Sequence, residues 1–143
     1  MKIVHTESSL GWGGQELRIL AESKGLAKRG HELTLICPLE ARIHGEAPSW
    51  GLRTVALPIA TKRLDGLLAV RRWLRANPPD VVSTHSSTDS WLVALGTRLP
   101  IVRTRHISAP VGTDLTRSAD TPVRSTRSRF SASPVVTMRV ARP

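Results

Sequence analysis

The sequence predicts an α/β fold in which helices cover both faces of a parallel sheet, followed by a tail of different character. Three observations predict it. Short apolar runs recur through the first 110 residues, amphipathic helix patterns fall between them, and glycine, proline and helix caps mark the same boundaries. Strand and helix alternating at this spacing imply right-handed crossovers between parallel neighbours, which is a Rossmann-like architecture.

The elements follow in order. Ile3-Val4 reads as a first strand ending at His5 and Thr6, and Gly11-Trp12-Gly13-Gly14-Gln15-Glu16 as a glycine loop at a helix start. Such a loop lets the backbone bend tightly and approach a ligand, while the free N–H groups of the helix favour an anionic or hydroxyl-rich group. A plain tight turn is the alternative. Leu17, Leu20 and Ala21 mark the first helix, which Lys28-Arg29-Gly30 ends with cations in the last turn and glycine as a left-handed cap. Leu33-Thr34-Leu35-Ile36-Cys37 is the second strand, residues 40–51 a short helix and loop, and Val55-Ala56-Leu57 the third strand. Leu64, Leu67, Leu68 and Leu74 carry a second long helix that Asn77-Pro78-Pro79 stops before the fourth strand, Val81-Val82. Ser87, Thr88 and Asp89 offer N-caps for a helix through Leu92, Leu95 and Leu99, and Ile101-Val102 is the fifth strand.

After Pro110 the pattern disappears. Residues 111–143 are dominated by Ser, Thr, Arg, Pro and Ala, with no sustained period before the short Val135-Val136 pair. This segment is expected to be a disordered tail that does not pack on the sheet, because it buries too little apolar surface to offset its ordering entropy. The chain thus divides into a domain over 1–110 and a basic tail over 111–143.

A chain of 143 residues with 40% hydrophobic content has room for one domain with a real core. The single cysteine, Cys37, excludes an internal disulfide and a cysteine-based zinc cluster, and fits a reducing cytoplasm. No His-x-x-x-His or Cys-x-x-Cys pair offers metal ligands, so no metal is expected. No apolar run approaches the roughly 20 residues needed to span a bilayer, and the start breaks into polar residues too soon for a signal peptide. A cytoplasmic protein is expected. The formal net charge of +10 suits nucleic acid or an anionic membrane surface. With no tyrosine and one phenylalanine, Phe130, base-stacking residues are nearly absent, and specific nucleic-acid recognition is not expected.

In an open parallel sheet, ligands bind outside the carboxyl ends of the strands where strand order reverses. With the order 3-2-1-4-5, strands one and four are neighbours there, so His5, the Gly13-Gly14 loop and His85 should converge in one crevice. Arg105 and His106 end the fifth strand on the same edge. Each histidine is either a ligand-facing group or a strand-end cap. Arg103 and Arg105 share one strand face, which either holds an anionic group or is a solvated edge. Lys62, Arg63, Arg71, Arg72 and Arg75 flank the second long helix, which also carries Trp73. That helix either sits on an anionic lipid surface or presents a solvated face over a core stripe.

Four stretches together resemble a known family: the opening Met1-Lys2-Ile3-Val4-His5, the loop Gly13-Gly14-Gln15-Glu16, the phrase Leu26-Ala27-Lys28-Arg29-Gly30-His31-Glu32-Leu33, and Asp80-Val81-Val82-Ser83-Thr84-His85-Ser86. In that order and spacing they are similar to the N-terminal domain of family 4 glycosyltransferases, of the GT-B fold, over residues 1 to about 110. The resemblance implies a retaining hexosyltransferase-like enzyme that takes a nucleotide sugar as co-substrate, without metal or other cofactor. It implies further that this half holds the acceptor, a cell-envelope or lipid-linked saccharide, with peripheral contact at the inner face of an anionic membrane. His85 becomes the candidate catalytic group, and His5, Gly13, Gly14, Gln15, Glu16, Arg105 and His106 the candidate acceptor-binding set. In the family a second domain holds the donor, and the change of character near Pro110 leads us to expect a truncated or frame-shifted product that lacks transfer activity alone.

Two other classes compete. A nucleotide- or phosphate-binding Rossmann module would fit the glycine loop, although the loop is not G-x-G-x-x-G, no Gly-Lys-Ser/Thr follows it, and the second strand ends in Cys37-Pro38 rather than an acid. A basic protein that binds RNA or anionic lipid would fit the charge, and steep salt dependence would mark it.

Overall fold

The structure, a computed structural model, describes residues 1–105 and 135–139. The elements run β1 (Lys2–Thr6), α1 (Gly14–Lys28), β2 (Glu32–Cys37), α2 (Arg42–Glu46), a 3-10 turn (Ala47–Trp50), β3 (Arg53–Ala56), α3 (Leu64–Ala76), β4 (Val81–Thr84), α4 (Ser87–Gly96), β5 (Ile101–Arg105) and β6 (Val135–Arg139). The sheet order is β3-β2-β1-β4-β5-β6, with β1 to β5 parallel. All five predicted strands are present in the predicted order.

Alternation along the central strands builds two cores. Ile3, Leu33, Leu35 and Cys37 point to one face, where they pack with Ile19 and Leu20 of α1 and with Ile43 and Leu52. Val4, Ile36 and Val82 point to the other, against Val70 and Leu74 of α3 and Leu92 and Val93 of α4. Each large aliphatic side chain buried this way contributes about 1.5–3 kcal/mol. β1 and β2 are therefore apolar on both sides, as parallel strands under crossover helices must be. Close helix contacts depend on small residues. A Cβ on Gly66 of α3 would stand 2.5 Å from the Pro58 carbonyl oxygen, so only glycine lets α3 sit against the loop that feeds it. The first helix ends as expected, with Gly30 in the left-handed region at φ 84°.

Two expectations change. The N-cap of α4 is Ser86, one residue before the predicted set, and Asp89 stands at the third helical position. The reason is local: from there the Asp89 carboxylate accepts both the N–H and the hydroxyl of Ser86, at 2.9 and 2.8 Å. The second change concerns 135–139, which pair antiparallel with β5 from Val135 opposite Arg105 to Arg139 opposite Ile101. For these five residues the structure differs from the expectation of a tail off the sheet, since β-branched Val135, Val136 and Thr137 suit a strand beside an otherwise open ladder. β5 is consequently paired on both sides rather than a solvated edge. Residues 106–134 and 140–143, on which the rest of that expectation falls, lie outside the described residues.

Candidate functional site at the carboxyl edge of the sheet

The register of β1 on β4 sets His5 beside Ser83 and Thr6 beside Thr84, so the chain leaves both strands at adjacent points, at Glu7 and at His85. The two predicted histidines meet there. His5 Nδ1 lies 2.8 Å from His85 Nε2, the rings are stacked with an interplanar angle of 10°, and the Ser83 hydroxyl is 3.4 Å from the same His85 nitrogen. His5 is 1% exposed, and burial pushes its imidazole down to about 4, so it is neutral at pH 7. Between two ring nitrogens one must donate and the other accept, which links the tautomer of each ring to that of its neighbour.

Asp89 organises the same edge from α4. Its Oδ2 accepts from the Thr6 hydroxyl at 2.7 Å and the His85 N–H at 3.0 Å, and its Oδ1 accepts from Ser86 and from the Ser90 N–H at 2.8 Å. One carboxylate thus ties the end of β1 to the β4–α4 turn. Burial raises its pKa from the ordinary range, opposed by these donors. Ser8 and Ser86 close the rim with a hydroxyl to hydroxyl hydrogen bond.

Glu7 is fully buried where β1 gives way to the glycine loop. One oxygen accepts from the Ser9 N–H at 2.8 Å and the other from the Gln15 side-chain amide. Burial, with smaller contributions from the charges of Asp89 and Glu16, pushes this carboxyl up to about 7 against the pull of its two donors. The loop is held elsewhere as well: Glu16 accepts from the Gly13 N–H at 2.8 Å, and the Arg42 guanidinium lies 4.8 Å over the Trp12 ring.

Most of the predicted residues are brought to this one edge. His5, His85, Gly13, Gly14, Gln15 and Glu16 surround the junction of β1, α1 and β4. Gly14 opens α1 and is exposed, and a Cβ built on it meets nothing within 4 Å among the described residues. His5 and His85, by contrast, are both buried, 1% and 4% exposed. Arg105 ends β5 two strands away from β1, opposite Val135. His106 lies outside the described residues. Sequence reasoning missed Glu7 entirely and saw Asp89 only as a cap. The Ser86-x-x-Asp89 spacing of a capping box was the signal for the second. Cys37, also on this edge, has its thiol pushed up to about 12 by burial, so it is not a nucleophile at neutral pH.

The model of Glycosyltransferase Family 4 matches residues 12–137. Among solved structures, MurG of Acinetobacter baumannii is similar with a TM-score of 0.57 at 14% identity, over 70% of this chain and 33% of that one. A glycosyltransferase of Rickettsia africae ESF-5 gives 0.57 at 20% identity, over 68% of this chain and 26% of that one. HepE of Anabaena, solved with UDP and glucose, gives 0.52 at 17% identity, over 72% and 29%. At these identities the likeness is one of fold, and this chain spans a third or less of the length of each. No curated protein matches the chain.

Proposed function

We propose that this chain, which belongs to glycosyltransferase family 4, supplies the acceptor-side wall of a sugar-transfer site. The reading is of a retaining transferase that moves a sugar from a nucleotide-sugar donor to a cell-envelope or lipid-linked saccharide. One observation supports it: His85, hydrogen-bonded to a buried histidine that is neutral at pH 7, follows β4 at the same sheet edge where α1 opens at the exposed Gly14. A saccharide hydroxyl seated there would find a backbone it can approach closely and an imidazole to share its proton with. Joined to the donor-binding half of a family relative, the chain provides the test. His85→Ala should lower kcat/KM roughly 100-fold, since a hydrogen bond to a reacting group is worth about 2.7–4 kcal/mol in the transition state by analogy with oxyanion donors. Near-normal turnover in that variant would reduce His85 to a strand-end cap.

Peripheral contact with an anionic membrane is the second part of the reading. Leu64, Leu68, Trp91 and Leu95 are exposed on the outer face of α3 and α4, with Lys62 Nζ 5.8 Å over the Trp91 ring. Beside them Arg71, Arg75 and Arg98 line a cleft of about 730 Å³. Apolar residues rimmed by cations suit the boundary of an anionic bilayer, and a lipid-linked acceptor would be presented there. No helix among the described residues is long and apolar enough to cross a membrane. Sedimentation with phosphatidylglycerol vesicles should pull the chain down at low salt, and Leu68→Glu should release it. Equal binding to neutral phosphatidylcholine vesicles would contradict this contact.

A further inference from the structure

Glu7 is a fully buried titratable group that the proposed transfer does not use. Among the described residues both of its side-chain hydrogen-bond partners are donors: the Ser9 N–H on one oxygen and the Gln15 Nε2–H on the other. A carboxylate satisfies both, and a carboxylic acid does not, because its own O–H then needs an acceptor. The Gln15 amide can change from donor to acceptor by a half-turn about its last bond. We propose that Glu7 is a positioning residue whose charge selects which end of the Gln15 amide the site offers to its ligand. When Glu7 is ionised it holds Nε2, and the planar amide turns Oε1 away from it as an acceptor for a saccharide hydroxyl. When Glu7 is protonated it donates to Oε1, Nε2 turns outward as a donor, and the site reads an anionic or carbonyl oxygen instead. The Ser9 N–H stays on the second oxygen in both states, so the loop keeps its path while its polarity reverses.

The titration that drives this exchange falls near neutrality. The groups that face Glu7 are Asp89 from α4 and Glu16 from α1, whose charges raise its pKa, and the buried Cys37 thiol of β2, which its charge affects in turn. With burial they hold the carboxyl at about 7, against the pull of Ser9 and Gln15. Between pH 6 and 8 the two amide orientations therefore exchange places as the major form.

Gln15 is the only glutamine in the chain, so selective Nε2 isotope labelling of the full chain gives one NH2 pair in a nitrogen–proton spectrum. Above pH 8 one of its protons should be shifted downfield and slow to exchange, held on the Glu7 carboxylate. Acidification should abolish that signature with a midpoint near 7, and in a uniformly labelled sample the Ser9 backbone amide should shift with the same midpoint. In Glu7→Met, which removes the carboxyl without adding a second glutamine, the Gln15 pair should stay constant with pH. A wild-type pair that does not move between pH 5.5 and 8.5, or a Gln15 midpoint that differs from that of Ser9, would overturn the proposal even if the variant fails to fold. The consequence for ligand choice rests on the acceptor-wall reading, but these signals are recorded without saccharide, so either idea can fail alone.

Discussion

The two edges of the sheet carry similar residue types and use them in opposite ways. At the amino edge Lys2 donates its N–H to Asp80 at 2.7 Å and Arg53 pairs with Glu32 at 3.1 Å, all of them exposed. At the carboxyl edge His5, Glu7, His85 and Asp89 are buried to within a few per cent. An exposed pair is worth about 0–1 kcal/mol, because water solvates each partner almost as well alone. A buried polar group left without its partner costs about 1–3 kcal/mol, and more when charged. Polar groups are thus cheap at one edge and expensive at the other. The buried cluster holds an acid and a base whose pKa values burial shifts toward their neutral forms, the pattern on which the proposed site rests.

The largest expected contrast is between two aspartates. Asp89→Ala strips the acceptor from Thr6, His85, Ser86 and Ser90 together, and should lower stability by about 3–5 kcal/mol in urea unfolding. Asp80→Ala at the opposite edge should stay within about 0.5 kcal/mol. Equal losses would break the comparison.

A smaller effect lies in pH dependence. Glu7 is raised from 4.5 unfolded to about 7 folded, so the folded state binds more protons and its contribution falls as pH rises across that window. His5 is lowered from 6.5 to about 4, so the unfolded state binds more protons and its contribution rises with pH from about 4 to 6.5. Each integrates to roughly 3 kcal/mol at 1.36 kcal/mol per pH unit. Between pH 4.5 and 6.5 the two slopes offset each other. Glu7→Gln removes one of them, so its urea stability should climb from pH 4.5 to 6.5 more steeply than that of wild type. An unchanged pH profile would show that Glu7 is not the buried acid described above.

The smallest effect on folding should come from Gly14→Val. A side chain there meets open space at the first turn of α1, so the melting temperature should change by no more than about 0.5 kcal/mol implies. Saccharide binding should be lost all the same, because the same side chain fills the space over the loop. Loss of both together would make Gly14 a structural glycine.

These contrasts also separate what the sequence disclosed from what it did not. Period-two and period-3.6 patterns are local, so the five strands and the order around β1 and β4 were legible, and with them the meeting of His5 and His85. Glu7 was not legible, because its burial comes from a loop that folds back to bring Ser9 and Gln15 onto it. Asp89 was read one turn too simply: as a candidate cap it was in view, but its bond to Thr6 crosses 83 residues of chain. The pairing of 135–139 with β5 rests on long-range register that the lone Val135-Val136 pair does not reveal.

The central claim is that the carboxyl edge binds a saccharide. Backbone amide shifts of the labelled chain, titrated with a panel of neutral monosaccharides and disaccharides, test it most directly. The account predicts movement confined to Gly13, Gly14, Gln15 and Glu16 and to the turn from His85 to Asp89, with the amino edge at Glu32 and Asp80 unmoved. Shifts centred on the amino edge, or none at the carboxyl edge with any sugar of the panel, would contradict it.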